Sequence, residues 1–289
     1  MPELSSQELY RSDRAVPPAV APVSSTASSV RELPRSTTAI VSGAALGAPH
    51  HLRLILDAGE VESSFGRRFA GHGTVDLGYR IHCRLRALFG DQAPSAFHVE
   101  RQGDHLVVSA WSPLDARILR CCAEAHGERA LVDAPWRVAS RPGVEAWPGD
   151  HTFTLRACPV MRRSRDGVEL DVLEHARRTA QADGVQGDSD WTRVYGDWLR
   201  ARLAQAGLAV ADVRVLRRRL VDLHRRARRD RRGRRRGRWL RRPDVVFHGR
   251  LVSPDPSILT VLLVRGFGRH RAFGFGMLRP ALAELGEQS

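Results

Sequence analysis

The chain of 289 residues is long enough for one large hydrophobic core or two of ordinary size, and its 42% hydrophobic content is typical of a globular protein. No apolar run approaches the ~20 residues of a membrane span, and prolines break the one candidate signal segment, so we expect a cytoplasmic protein. The formal net charge of +14 indicates an anionic partner, while four cysteines without a CxxC spacing predict neither a disulfide framework nor a metal site.

The sequence predicts a disordered N-terminal extension followed by a first domain. Residues 1–48 are rich in Ser, Ala, Pro and Val without a sustained period, which predicts disorder. Hydrophobic periodicity then predicts the following elements: a strand 51–56, a helix 76–89, hairpin strands 97–101 and 106–110, a helix 113–126 and a strand near 137–140. The order βαββαβ predicts a ferredoxin-like domain over residues 49–148.

The C-terminal half repeats the same order of elements over residues 149–285. The predicted elements are a strand 151–157, a helix 190–206, strands 210–221 and 245–252, a helix 257–264 and a last strand 272–278. The fold class is therefore predicted as α+β, with two tandem ferredoxin-like domains of the RAMP type behind the N-terminal extension.

One segment carries the entire excess charge. Between Arg214 and Arg242 there are sixteen arginines and only two aspartates, so the remainder of the chain is balanced. Charge blocks of this kind are often solvated and disordered. This block lies between two predicted strands, which favours a hairpin insertion at about residues 222–243 that docks an anionic partner.

A glycine-rich segment from Gly266 to Pro280 combines four glycines with basic and aromatic residues. A P-loop is excluded because the chain contains no lysine, and the dinucleotide fingerprint is excluded because a helix precedes the segment and a strand is predicted to follow. The run Arg271–Phe275 follows the aromatic RNA-binding signature of RRM domains, although its place in the chain is wrong for that fold. A nucleic-acid contact and a simple glycine-rich turn are both open interpretations.

The first predicted helix carries the one candidate for chemistry. Its apolar stripe places His82 at the edge of the core, with Tyr79 and Arg86 on the same flank at i−3 and i+4. A histidine in that position is most often an ordinary helix-surface residue. An imidazole beside a phenol and a guanidinium can, however, move a proton and stabilise charge on a phosphate, which allows RNA cleavage through the ribose 2′-hydroxyl without a metal.

Several segments together resemble the CasE family, the CRISPR-associated endoribonucleases that process precursor CRISPR RNA in type I-E systems. The resemblance covers roughly residues 50–280 and rests on GYRIHCRLRALFGDQAPSAFHVER from Gly78, FTLRACPVMRR from Phe153, DWTRVYGDWL from Asp190 and GRHRAFGFGMLRP from Gly268. It implies two ferredoxin-like domains with RNA bound across one face.

The same resemblance implies the roles of individual residues. It makes His82 and Tyr79 the catalytic residues of a metal-independent endoribonuclease that has no cofactor. The product would be a CRISPR RNA with a 2′,3′-cyclic phosphate, left bound to the enzyme among other Cascade subunits. The RNA-binding residues expected from the sequence and the resemblance are Arg86, Arg156, Arg162, Arg163, Arg228, Arg231, Arg234, Arg235, Gly266, Gly268, Arg269, His270, Arg271, Gly274 and Gly276.

Two other functions remain open at this point. A non-catalytic RNA-binding subunit would keep the fold and the basic hairpin and bind a stem-loop without cutting it. A nonspecific arginine-rich nucleic-acid binder would lose all binding when residues 225–242 are deleted and would show no preference for a hairpin. Neither the extension before residue 51 nor the length of the arginine block belongs to the CasE pattern.

Overall fold

The computed structural model of the chain describes residues 48–69, 76–128, 134, 137–143, 151–163, 167–183, 190–229, 235–252 and 254–281. The elements of the first half are β1 (His50–Asp57), α1 (Ala58–Phe69), α2 (Leu77–Phe89), β2 (Phe97–Gln102), β3 (His105–Ser112), α3 (Ala116–Ala125) and β4 (Val138–Pro142). The elements of the second half are β5 (Thr152–Ala157), β6 (Val160–Arg162), β7 (Glu169–Asp171), α4 (Val172–Ala182), α5 (Trp191–Gln205), β8 (Ala209–Arg229), β9 (Arg235–Val252), α6 (Pro256–Arg265) and β10 (Leu278–Pro280).

The first sheet has the antiparallel strand order β2-β3-β1-β4, which is the order of a ferredoxin-like βαββαβ unit. Its core joins Leu52 and Leu54 of β1 to Ile81 and Leu85 of α2, all fully buried. The helix α2 forms because its apolar residues recur at helical spacing and because Asp76 accepts a hydrogen bond from the first-turn amide of Tyr79. Helix α1 was not predicted.

The second sheet repeats this topology with the order β10-β5-β9-β8. Phe153 of β5 and Phe247 of β9 are fully buried, and they belong to the same core as Tyr195 and Leu199 of α5. The predicted α+β class with two tandem ferredoxin-like folds is confirmed. The small hairpin β6–β7 and helix α4 were not predicted.

The described parts of the arginine block, residues 214–229 and 235–242, lie within the strands β8 and β9 themselves. The two strands pair from Ala209↔Val252 to Arg229↔Arg235, so the basic segment is a direct extension of the sheet hairpin. The strands predicted at 210–221 and 245–252 were therefore too short, since β8 continues to Arg229 and β9 begins at Arg235. Leu223 of β8 lies opposite Leu240 of β9, and their buried side chains belong to one cluster, which gives one face of the hairpin an apolar anchor.

The last strand is shorter than the predicted 272–278. A 3₁₀ turn occupies Arg271–Phe273, and pairing with β5 begins only at Leu278. Gly274 and Gly276 have positive φ angles of 78° and 87°, which a strand cannot contain. Phe273, Phe275 and Met277 lie in a loop, yet their side chains are buried. Their alternation with glycines therefore resembles the apolar pattern of a strand.

The two sheets belong to one compact unit that spans Ala44–Ser289. The indole Nε1 of Trp111 on β3 donates a buried hydrogen bond to the carbonyl oxygen of Leu278 on β10, at 2.7 Å. A division into domains at about residue 148 remains a prediction, and the predicted extension over residues 1–48 lies almost entirely outside the described residues. None of the described helices has the length and apolar character needed to cross a membrane.

Candidate nucleic-acid interface

A cleft of about 750 Å³ lies between helix α2 and the glycine-rich loop that follows α6. Its lining residues are Tyr79, His82, Arg86, Ala93, Pro94, Ser95, Glu169, Gly268, Arg269, His270, Arg271, Ala272 and Phe273. The fold thus brings together the two segments that the sequence singled out, although they are about two hundred residues apart in the chain.

Tyr79 and His82 face the cleft from adjacent turns of α2. Their ring centroids are 6.2 Å apart, as the i, i+3 spacing requires. On its other side the Tyr79 ring stacks on Phe273 of the loop at 5.5 Å, with an interplanar angle of 28°. The phenol is therefore held between the helix and the loop.

His82 is half-buried, at the core edge where its helical position predicted it. Its pKa is lowered from the ordinary imidazole value, first by burial and then by the positive charge of Arg86. The ring is consequently neutral near pH 7 and can accept a proton. Its Nδ1 atom is buried and has no hydrogen-bond partner among the described residues.

The glycines of the loop permit close backbone approaches at this junction. A Cβ on Gly78 of α2 would lie 2.3 Å from the carbonyl oxygen of Phe273, so helix and loop touch backbone to backbone. A Cβ on Gly276 would lie 2.1 Å from the carbonyl oxygen of Phe267, and a Cβ on Gly266 would lie 2.3 Å from the Cβ of Ala96. Gly78 therefore lets α2 approach the loop, while Gly266 and Gly276 permit close packing against Ala96 and within the loop itself.

The cationic side of the cleft consists of loop residues and Arg86. Arg269 and His270 both contact the carboxylate of Glu169, at 2.9 and 2.8 Å. Arg86 pairs with Asp91 at 2.7 Å and is half-exposed, while Arg271 donates to the carbonyl oxygen of Arg265. The cleft therefore combines a neutral imidazole and a phenol with several fixed cations, which suits a phosphate diester.

Comparison with protein families shows to which family the chain belongs. A model of the family described as "CRISPR associated protein" matches residues 52–280. The chain belongs to this family. The recognition made from the sequence segments is thereby confirmed, and the match covers both sheets and the cleft of this CRISPR associated protein.

Solved structures of similar shape include other CRISPR proteins. Cse3 of Thermus thermophilus bound to an RNA representing a pre-cleavage complex is 20% identical, with 81% of this chain and 100% of that chain covered at a TM-score of 0.48. Cas6e of Escherichia coli K-12 is 17% identical, with 81% of this chain and 100% of that chain covered at a TM-score of 0.36. A CRISPR RNA-guided surveillance complex in a pre-nicking state contains a chain that is 19% identical, with 79% of this chain and 97% of that chain covered at a TM-score of 0.44. No curated protein matches the sequence.

The remaining predicted contacts of this CRISPR associated protein lie away from the cleft. Arg156 forms a bidentate pair with buried Asp244 at 2.8 and 3.2 Å, and its guanidinium covers the Phe275 ring at 4.5 Å. Burial alone would raise the pKa of Asp244, but the hydrogen bonds from Arg156 and Arg219 hold it below its ordinary value. Arg156 therefore connects Phe275 of the glycine-rich loop to Asp244 of β9.

The other predicted arginines fall on the second sheet's hairpins. Arg162 on β6 donates to the carbonyl oxygen of Gly167, and Arg163 follows directly at the end of that strand. Arg228 and Arg235 lie in β8 and β9, near the paired ends of these strands. The predicted residues Arg231 and Arg234 lie outside the described residues.

Glu169 is the cleft residue that sequence reasoning missed. It lies on the short strand β7, and its contacts are with residues 73 to 101 positions later in the chain. No local spacing relates it to the loop, so a single sequence carries no signal for it.

Among the described residues, no three His, Cys, Asp or Glu side chains are grouped so as to hold a metal ion.

Proposed function

We propose that this protein is an endoribonuclease that cuts precursor CRISPR RNA at the base of a repeat stem-loop and then stays bound to the product. The observation that carries the proposal is the cleft in which Tyr79 and His82 face the basic glycine-rich loop. Family membership and the resemblance to CasE supply the class of substrate. They also supply the partners, which are CRISPR repeat RNA and the other subunits of Cascade.

The reaction uses the RNA as its own nucleophile. The ribose 2′-oxygen attacks the neighbouring phosphorus, the bond from phosphorus to the 5′-oxygen breaks, and the products carry a 2′,3′-cyclic phosphate and a 5′-hydroxyl. Neutral His82 accepts the proton of the 2′-hydroxyl, and the leaving 5′-oxygen takes up a proton from an acid. The lowered pKa of His82 supports the role of base, because the ring is unprotonated at neutral pH.

The phosphorane that forms between these steps carries additional negative charge. Arg269 of the loop and Arg86 of α2 both line the cleft and can donate charge-assisted hydrogen bonds to it. The phenol of Tyr79 lies one turn from His82 and can donate to the same phosphate. No step of this scheme requires a metal ion, so we propose metal-independent cleavage.

The arginine-rich hairpin β8–β9 would hold the RNA stem. Contacts from arginine to phosphate position a duplex without reading its sequence, and an A-form stem is recognised largely by shape. Two long paired strands can present such side chains along a stem while the scissile bond lies in the cleft. Arg228, Arg231, Arg234 and Arg235 are proposed for this role.

Cleavage of the cognate repeat RNA in EDTA tests the proposal. We expect one cut with a 2′,3′-cyclic phosphate, and the His82→Ala variant should cut about 10²- to 10⁴-fold more slowly while binding RNA normally. A 2′-deoxy nucleotide at the scissile position should stop the reaction. His105→Ala, at the exposed start of β3, is the matched control and should cut at the original rate. Full activity of His82→Ala would contradict the proposal.

A second function, RNA binding without cleavage, is favoured by one observation. The Nδ1 atom of His82 has no partner in the described residues that would orient the ring, whereas catalytic histidines are usually oriented by a hydrogen bond. This function predicts tight, salt-sensitive binding of a stem-loop that stays intact in every buffer tried. The EDTA experiment therefore separates the two functions.

A further inference from the structure

Glu169 is an acidic residue in a cleft whose other charged lining residues are Arg86, Arg269 and Arg271. A carboxylate there repels phosphate, so its presence needs a reason other than contact with RNA. The side chain is largely buried, at 17% exposure, and the side chains of Arg242, Arg269 and His270 converge on it.

The three contacts come from two separate parts of the chain. Arg269 Nη1 lies 2.9 Å from Oε1, while His270 Nε2 and Arg242 Nη2 lie 2.8 and 3.2 Å from Oε2. Arg242 belongs to β9 of the arginine-rich hairpin, and the other two belong to the glycine-rich loop. Glu169 thus connects the hairpin to the loop.

The charge balance of this cluster stays positive. Two arginines against one carboxylate leave one positive charge, even with His270 neutral. Arg269 is 46% exposed, so it has N–H groups that a phosphate can still reach. The pairing consequently fixes Arg269 without neutralising the cluster.

The loop conformation needs such a fixed point. His270 has φ 61° and ψ 27°, in the left-handed region that a non-glycine residue adopts only at an energetic cost. Its side chain is only 6% exposed and contacts Glu169 on one side and the Phe273 ring, at 6.0 Å between centroids, on the other. Phe273 in turn stacks on Tyr79.

Resting on the proposed function, we infer that Glu169 is a positioning residue for RNA cleavage. It clamps Arg269 and His270 at the edge of the Tyr79–His82 cleft before RNA binds and ties them to the stem-binding hairpin through Arg242. Fixing a flexible arginine in advance removes the entropy cost of ordering it in the transition state. Its effect should therefore appear in the cleavage rate more than in the affinity for RNA.

The Glu169→Gln variant tests this inference, with Glu174→Gln as the matched control. Glu174 pairs with Arg178 at 2.8 Å on helix α4, so the control also loses one arginine–carboxylate pair but does not line the cleft. Under single-turnover conditions at saturating protein, Glu169→Gln should cut repeat RNA about 10-fold more slowly or worse. Its dissociation constant for a 2′-deoxy, uncleavable repeat should stay within about threefold of the original.

A double-mutant cycle separates positioning from general loss of stability. If Glu169 acts through Arg269, the rate loss from Glu169→Gln should be much smaller in an Arg269→Ala background. Amide hydrogen exchange across residues 268–273 should also be faster in Glu169→Gln than in Glu174→Gln, and this readout does not depend on cleavage.

The outcomes are distinguishable. An unsubstituted protein that leaves the RNA intact overturns the proposed function, and with it the role in cleavage. Normal cleavage by Glu169→Gln overturns the positioning role alone. Faster cleavage with tighter binding also overturns it, and would mean that the carboxylate of Glu169 only repels the RNA phosphates. Unchanged loop exchange in Glu169→Gln also overturns it.

Discussion

At the scale of the residue, the environment of His82 sets the protonation state on which the proposed chemistry depends. Burial disfavours the imidazolium, and Arg86, one turn further along α2, disfavours it again. Both effects act in the same direction, so the base form persists at a lower pH than for an ordinary histidine. Arg86 thus has two proposed roles, one toward the imidazole and one toward the phosphate.

The pH dependence of cleavage should report this environment. Since neutral His82 is the active form, the single-turnover rate should rise with pH and reach half its plateau below the ordinary imidazole pKa of ~6.5. Arg86→Gln removes one of the two lowering effects, so the midpoint should move to higher pH, whatever happens to the plateau. Arg84→Gln, on the same helix but outside the cleft, is the control. A midpoint that stays in place or moves to lower pH in Arg86→Gln would refute this account.

Single residues also show how far the sequence could predict the site. Tyr79 and His82 were predictable because one helical turn relates them and because the apolar stripe of α2 defines the core edge. The RNA contact of Arg156 stays a prediction, and the pairing of its guanidinium with Asp244, 88 positions later in the chain, was not predicted. Neither this pair nor that of Glu169 with the loop follows from local spacing, since each depends on how the strands of the second sheet are arranged.

At the scale of elements, the proposed site depends on the contact between α2 and the glycine-rich loop. The helix presents a glycine where the loop presents a backbone carbonyl, so the two main chains approach more closely than side chains would allow. The Tyr79–Phe273 stack lies beside this contact and depends on the same separation. A small displacement of the loop would therefore change the distance from Arg269 to His82.

Replacing Gly78 by alanine should test the importance of this contact. The new Cβ would lie 2.3 Å from the Phe273 carbonyl oxygen, so we expect a destabilisation of about 1–3 kcal/mol in urea unfolding and at least about 10-fold slower cleavage. Gly196→Ala is the matched control, since the nearest atom to its Cβ is the flexible Arg200 Nη1 at 3.4 Å. There alanine should be neutral or stabilise the helix by up to about 1 kcal/mol. Equal effects of the two substitutions would show that the close approach is unimportant.

The elements that the sequence predicted correctly are those with their own periodicity or capping signal. Helix α3 begins after Asp115, whose side chain caps the helix by accepting a hydrogen bond from the Ile118 amide. The last strand was overpredicted because aromatic residues alternate with glycines there, and only backbone torsions distinguish a loop with buried aromatics from a strand. Strands β6 and β7 have three residues each, too short for any periodicity to reveal them.

At the scale of the whole molecule, the two sheets meet at a junction that contains histidines and arginines. Arg279 of β10 pairs with Glu100 of β2 at 2.8 Å, and Glu100 also contacts His98 at 3.0 Å. Burial lowers the pKa of His98 to about 4, with Arg279 adding to the effect. His51, which packs edge-on against Trp111 at 4.9 Å, has its pKa lowered to about 4 by burial, Arg141 and Arg279. Both imidazoles are therefore neutral in the folded protein.

The folded protein should consequently lose stability in mild acid. Between pH ~6.5 and 4 the unfolded chain binds protons at His51 and His98 that the folded chain does not, so the free energy of unfolding should fall as pH decreases. His98→Gln keeps an amide that can donate to Glu100 but cannot titrate, so urea unfolding of this variant from pH 7 to 4.5 should show a shallower fall. His105→Gln, at the exposed start of β3, should retain the original slope. If His98→Gln retained the original slope as well, the acid sensitivity would have to arise outside this junction. A shallower slope would show that proton binding at His98 opposes folding in mild acid, as its lowered pKa requires.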